Sequence, residues 1–416
     1  MSKNPLTPER PTVAPEEEPT REEQLIAERP KLSDWLELRL GWWGFVRKNL
    51  DEPMPAGVGW WQTLGNLLLT LLVFQFVTGV ALAMYYSAGP DSAYQSVQHI
   101  TNEITFWGIN FGRATRGLHV WGSAGIIIVT VLHIMRVFFW GSYKKPRELT
   151  WLAGVFIFLV MLGFAFTGYL LPWDQKAYWA TVVGTNILGT IPGIGHGLVE
   201  LARGGQEVGS LTLTRFYAIH VMLLPAALMF LTALHLILVR KHHIAGPVRP
   251  QKGPRVEFYP YQYFKDIIVV FVGVAIIVYL AASHPPALEG MADPTGTDFA
   301  PRPEWYYLGL YELLKIMPAG WEVLATVVAP GIITLGMIFL PWLDRSNSRH
   351  PARRTWVVIS GTLIMLLIGL MTLKGILETP VHPKETEQPA TAQGTQASES
   401  NVSFVVPLRK RVGWKV

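Results

Sequence analysis

Seven runs of this sequence, at about 64–86, 118–140, 150–171, 216–240, 265–284, 321–341 and 355–374, are almost wholly apolar. Each is close to the ~20 residues that a helix needs to cross a ~30 Å hydrocarbon layer. Lipid offers a backbone no partner but itself, so each run is predicted to be a transmembrane helix. Of the 416 residues, 50% are hydrophobic and only 16% charged, which is more apolar than a soluble domain needs for its core. The expected fold is an all-α membrane protein of about seven transmembrane helices.

The segments between and around the runs divide the chain. Residues 1–31 are rich in Pro, Glu, Arg and Thr and hold no apolar core of a signal peptide, so they read as a disordered tail. From 32 to 48, Trp and Leu alternate with charge at helical spacing, as in a helix lying flat on the membrane surface. A polar, basic linker at 241–263 contains Gly246-Pro247 and Gly253-Pro254, pairs that break a helix. It separates a four-helix domain (32–240) from a three-helix domain (264–380), and a polar tail that ends basic (381–416) follows. Arg136, Lys144, Lys145 and Arg147 are assigned to the second connection, Arg240, Lys241, Arg249, Lys252 and Arg255 to the fourth, and Arg345, Arg349, Arg353 and Arg354 to the sixth. Positive loops stay inside, so these connections and the N-terminus are expected on the cytoplasmic side, and the odd connections on the positive (p) side.

Four histidines fall inside two of the runs. His119 and His133 are 14 residues apart on the second, and His220 and His235 are 15 apart on the fourth. At 100° and 1.5 Å per residue each pair returns to nearly one helix face, ~21 Å apart along the axis. The two helices run in the same direction, so His119 is predicted to face His220 near the p side and His133 to face His235 near the cytoplasm. Ionisable groups in lipid are costly and mark a pathway or a ligand, and two imidazoles on one haem iron supply that reason. Gly65 and Gly79 on the first run, and Gly154 and Gly168 on the third, repeat the 14-residue spacing. A flat macrocycle between helices needs such backbone without side chains, although small residues also serve ordinary membrane packing. The chain has no Cys, which removes thiolate iron–sulfur ligands and thioether haem attachment. The first four helices are therefore read as a bundle for two non-covalent b-type haems.

The segments Arg116-Gly-Leu-His119, Tyr143-Lys-Lys-Pro-Arg-Glu-Leu-Thr-Trp151, Thr167-Gly-Tyr-Leu-Leu-Pro-Trp-Asp-Gln175, Leu213-Thr-Arg-Phe-Tyr-Ala-Ile-His220 and Pro303-Glu-Trp-Tyr306 resemble cytochrome b of the Rieske/cytochrome bc complexes over about 32–380. The 15-residue spacing and the stop after seven helices are similar to the chloroplast and cyanobacterial branch, with its two separate halves fused here. Where that branch carries a cysteine for a further covalent haem, this chain has Thr63, and where the family commonly places a His near the inner entrance to the first helix it reads Met54-Pro-Ala-Gly-Val58.

The resemblance implies a quinol:cytochrome c oxidoreductase subunit that oxidises quinol on the p side, passes electrons through two haems to an inner quinone site and builds proton-motive force. It implies a Rieske protein, a c-type cytochrome subunit or soluble cytochrome, quinone and lipid as partners, in a dimeric complex of a bacterial cytoplasmic membrane, and no nucleic acid. Glu304 lies in the fifth connection beside an apolar stretch, where a carboxylate can take a quinol proton and turn it out to water; the resemblance gives it that role. Tyr306 and Tyr169 join it as candidates, with Pro172, Trp173, Asp174 and Tyr178 expected to wall the pocket. Arg116 is expected to pair with a haem propionate, and Arg147, Arg240 and Lys241 to serve the inner haem or quinone. The alternatives are a dihaem anchor of another quinone-linked dehydrogenase and a transporter using histidines as a proton relay.

Overall fold

The computed structural model describes residues 31–249, 256–295, 302–318 and 320–378. The expected tails, apart from Lys31, lie outside them. Among the described residues, seven helices are long and apolar enough to cross a membrane: Trp60–Ala83, Phe111–Phe139, Glu148–Tyr169, Ser210–His242, Phe258–Ser283, Leu324–Leu343 and Thr355–Leu377. They are the first to seventh spans below. The fourth outruns its apolar run at both ends, and the fifth starts inside the expected linker, because a helix ladder continues through polar residues once it is formed.

The first span packs along the second and the third along the fourth, while the fifth lies across the first two. That crossing is close: a Cβ on Gly117 would be 3.1 Å from the Ala281 Cβ. Leu67, Leu71, Ile126, Met161 and Ile277 form the core shared by the first, second, third and fifth spans. Outward, Val73, Phe76, Val77, Val80, Phe230, Ile237, Leu363 and Leu370 are all more than half exposed except Phe76 at 47%, an apolar mantle that only a bilayer satisfies.

The flat helix expected at 32–48 is two helices, Leu32–Leu40 and Trp42–Leu50. Gly41 sits between them at φ 59°, a left-handed conformation that glycine adopts at little cost. Glu37 caps the second by accepting from the backbone N–H groups of Trp43 and Gly44 (2.6 and 3.2 Å). In the expected linker, Val256–Glu257 pairs antiparallel with Pro53–Met54.

On the face of the even-numbered connections a buried polar cluster ties the last spans to the bundle. Asp344 accepts from the Tyr143 hydroxyl at 2.5 Å and pairs with Lys144 at 2.9 Å. Arg354, 1% exposed, donates to Tyr143 Oη at 2.8 Å and to the Phe138 and Phe139 carbonyls. The opposite face carries the short helices Gln175–Gly189, Gly195–Arg203 and Trp305–Lys315.

Candidate functional site

The four histidines sort into two layers, and each meets its own glycine. An ideal Cβ on Gly79 would lie 3.3 Å from His119 Cε1, and one on Gly168 only 2.5 Å from His220 Cε1. In the other layer the distances are 3.8 Å for Gly65 and His133 and 3.4 Å for Gly154 and His235. The first and third spans thus flank the second and fourth with bare backbone at both depths. His119 and His220 stand with ring centres 6.5 Å apart. Metal–nitrogen bonds of about 2.0 Å on both sides of one ion would set two imidazole centres about 6 Å apart, so the spacing fits a shared iron.

The outer pair is also oriented for ligation. Thr78 and Thr167 each donate their hydroxyl proton to a carbonyl one turn back, Phe74 O at 2.9 Å and Gly163 O at 2.8 Å. Their oxygens are then free to accept from His119 Nδ1 (2.9 Å) and His220 Nδ1 (3.1 Å). A proton held on Nδ1 leaves Nε2 as the basic nitrogen, the arrangement that metal-binding histidines require. In the inner layer His133 Nδ1 and His235 Nδ1 are buried and unpartnered.

The unequal spacing on the fourth span has a local cause. Ile219–Leu223 is a π-helical turn, between Ser210–Ala218 and Leu224–His242. A π turn absorbs an extra residue without ending the helix and tends to sit at functional positions. The 15-residue separation of His220 and His235 is thereby brought back towards the 14-residue repeat of its neighbours.

The expected cationic partners are placed otherwise. Arg116 gives Nη1 and Nη2 to the carbonyls of Pro286 and Ala287 (2.8 and 2.9 Å) and so clamps the fifth connection. Arg147 donates to the His243 and His242 carbonyls at the end of the fourth span; burial lowers its pKa. Arg240 is half exposed and pairs with Glu52 at 3.6 Å, and Lys241 is exposed. Arg136, expected only as a cation of the second connection, lies inside the second span instead. It lies one turn beyond His133, its guanidinium over the Trp140 ring at 4.9 Å, with Nε and Nη2 buried and unpartnered. Its spacing of three residues from a layer histidine, mirroring Arg116 and His119, was the available signal.

A pocket of about 320 Å³ opens where the end of the third span, helix Gln175–Gly189 and helix Trp305–Lys315 meet. Its walls include Phe166, Tyr169, Val183, Glu304, Tyr306 and Tyr307, which brings the three expected reaction residues together. Glu304 Oε1 accepts from Lys176 Nζ at 2.8 Å, and the Tyr169 hydroxyl is buried without a partner. Burial, and next the nearby Glu304 carboxylate, push the Tyr306 hydroxyl well above its ordinary pKa, so it stays a proton donor. Pro172, Trp173, Asp174 and Tyr178 do not line this pocket. Trp173 turns the chain away at φ 52° and packs with Tyr178, Leu170, Leu213 and Phe216 in a separate core, while Asp174 caps the next helix through Ala177 N at 2.8 Å.

A second polar cluster lies beside Gly65. Asp266 accepts from Asn66 and from Gln262 (3.0 Å), and Gln62 Nε2 and Gln262 Oε1 are buried and unpartnered. A carboxylate opening an apolar run was the signal for it.

The family models Cytochrome b/b6/petB and Cytochrome b(C-terminal)/b6/petD match residues 49–243 and 291–392. The chain is 33% identical to "Cytochrome b/c1" of Bradyrhizobium diazoefficiens over 82% of its own length, and spans only about half (51%) of that relative. It is 40% identical to "Cytochrome b6" of Synechococcus elongatus over 52% of this chain and 99% of that one. A solved structure titled "Hyperthermophilic respiratory Complex III" superposes with a TM-score of 0.75 at 29% identity, covering 84% of this chain and 92% of that one.

Proposed function

The chain belongs to the cytochrome b/b6 family, with N- and C-terminal parts on one polypeptide, and from that premise we propose that it is the dihaem subunit of a quinol:cytochrome c oxidoreductase. The observation that carries this is the layering: four histidines each beside its own glycine, with the rings of His119 and His220 6.5 Å apart. His119 with His220, and His133 with His235, would hold one b-type haem each. Bound there, the haems supply reversible one-electron chemistry at two depths of the membrane. Thr78 and Thr167 fix the outer imidazoles, the glycines leave room for a flat ring, and Arg136 offers its unpartnered nitrogens to a carboxylate of the inner group.

Quinol oxidation belongs in the 320 Å³ pocket. Its apolar walls seat the ring and exclude water. Glu304 takes the proton from the quinol hydroxyl, and Tyr169 and Tyr306 supply hydroxyls along the wall. Quinone reduction belongs at the Gln62–Asn66–Gln262–Asp266 cluster, where the free Gln62 amide N–H can donate to a quinone carbonyl oxygen. The Rieske centre must sit on another subunit, since this chain holds no Cys; a c-type cytochrome is the onward acceptor, and the complex is dimeric. The cationic even connections support a cytoplasmic N-terminus and a quinol pocket on the p side in our reading of the chain as a bacterial inner-membrane protein.

The test is a dithionite-reduced spectrum of the purified chain. Two b-type components are expected, with only the outer one surviving in His235→Ala and only the inner one in His119→Ala. A spectrum without a b-type α-band overturns the assignment.

A further inference from the structure

Lys176 directly follows the stretch Thr167-Gly-Tyr-Leu-Leu-Pro-Trp-Asp-Gln175 and enters none of the roles above. Among the described residues its ammonium meets two walls of the quinol pocket: Glu304 Oε1 at 2.8 Å and the face of the Tyr169 ring at 5.7 Å. The two paired side chains are 37% and 30% exposed, so the pair stands at the mouth of the pocket, between its apolar interior and water. Helix Gln175–Gly189, which carries Lys176, and helix Trp305–Lys315, which Glu304 immediately precedes, form two sides of that mouth.

The charged and titratable groups around Lys176 come from three elements. Glu304 and Tyr306 lie on the far wall and Tyr169 at the end of the third span, while Asp174 and Glu289 lie where the fifth connection pairs with the chain just before Lys176. Burial, and next the neighbouring Asp174, raise the pKa of Glu289, with Lys176 opposing them.

We propose that Lys176 is an electrostatic latch on Glu304, holding the carboxylate at the pocket mouth while it is charged and releasing it when it takes up the quinol proton. The inference rests on the reading of Glu304 as the proton acceptor. The quinol O–H bond breaks and an O–H bond forms at a Glu304 carboxylate oxygen, while Lys176 keeps its charge throughout. A neutral carboxyl is no longer drawn to the ammonium, so the side chain is free to turn and pass its proton to p-side water. The attraction returns with the negative charge. Lys176 is thus a positioning residue, and the pair is remade once per proton.

The experiment compares Lys176→Met, Lys176→Arg and Glu304→Gln in the full complex with a short-chain quinol, haem spectra confirming assembly. Misplacing a reacting group typically costs up to 100-fold, so Lys176→Met is expected to lower kcat roughly 10- to 100-fold with little change in KM, and Lys176→Arg to restore it. Infrared difference spectra on adding quinol should show a carboxylic acid C=O band that Glu304→Gln abolishes and Lys176→Met shifts. Should Lys176→Met lose haem, Lys176→Gln is read instead. A slow Glu304→Gln beside a Lys176→Met with unchanged kcat and an unshifted band overturns the latch alone; a Glu304→Gln that turns over normally overturns the acceptor reading beneath it.

Discussion

Gly168 and His220 are in closer registry than any other glycine–histidine pair of the two layers: a Cβ on Gly168 would meet His220 Cε1 at 2.5 Å, against 3.8 Å for Gly65 and His133. Gly168→Ala must therefore push the outer imidazole aside, while Gly65→Ala adds an ordinary contact. The first is expected to remove about half of the b-type absorbance and the second to leave most of it; equal losses would show that glycine serves only helix packing.

Thr167→Val and Thr78→Val keep the shape of the side chain but remove the oxygen that holds Nδ1–H. Loss of such an outer partner typically weakens metal binding about 10- to 100-fold. Reconstitution of each purified variant with graded haem should show weaker outer-site loading and an unchanged inner site.

Glu304→Gln retains size and polarity but cannot accept a proton. A positioned acid or base is worth about 10²- to 10⁴-fold in rate, so quinol oxidation should fall by at least about 100-fold with both haem signals intact.

Arg354 is fully buried between three carbonyls, a tyrosine hydroxyl and Asp344. Removing one partner of a buried pair costs about 3–5 kcal/mol, and Asp344 keeps Lys144 at 2.9 Å, so Arg354→Met should destabilise by about 3 kcal/mol. The check is thermal loss of haem absorbance in detergent, where an unchanged midpoint would count against this anchor.

Glu312, 1% exposed, accepts from Lys374 at 2.5 Å and Lys315 at 3.0 Å. Burial pushes its carboxyl up, but the two lysines outweigh burial and hold it below the ordinary range. A depressed folded value stabilises above the unfolded pKa of about 4.3 and is lost as pH falls through the folded one. Thermal stability should drop along that acid limb, and Glu312→Gln should flatten it.

The sequence made the span count and the two layers legible because both are periodic along a single helix: apolar length in one case, 14-residue recurrence in the other. The pocket was half legible. Glu304, Tyr306 and Tyr169 sit next to the apolar runs that carry them, whereas Trp173 and Tyr178 look equally aromatic and pack elsewhere, because the turn at Trp173 redirects the chain. Arg116, Arg147 and Arg240 found partners in loop carbonyls and in Glu52, contacts between residues roughly 95 to 190 positions apart that no local spacing encodes. Lys176 escaped notice for the same reason: its meaning depends on Glu304, 128 residues away. The break at Gly41 and the π turn at Ile219–Leu223 are backbone events within patterns that read as unbroken helix.

Four consecutive residues of the third span divide two duties: Phe166 and Tyr169 line the pocket, and Thr167 and Gly168 between them meet His220. On the proposed reading the quinol ring and the outer haem would both lean on this one helix, so that a tilt or slide of it in the bilayer would carry the two together and leave the gap an electron must cross little changed.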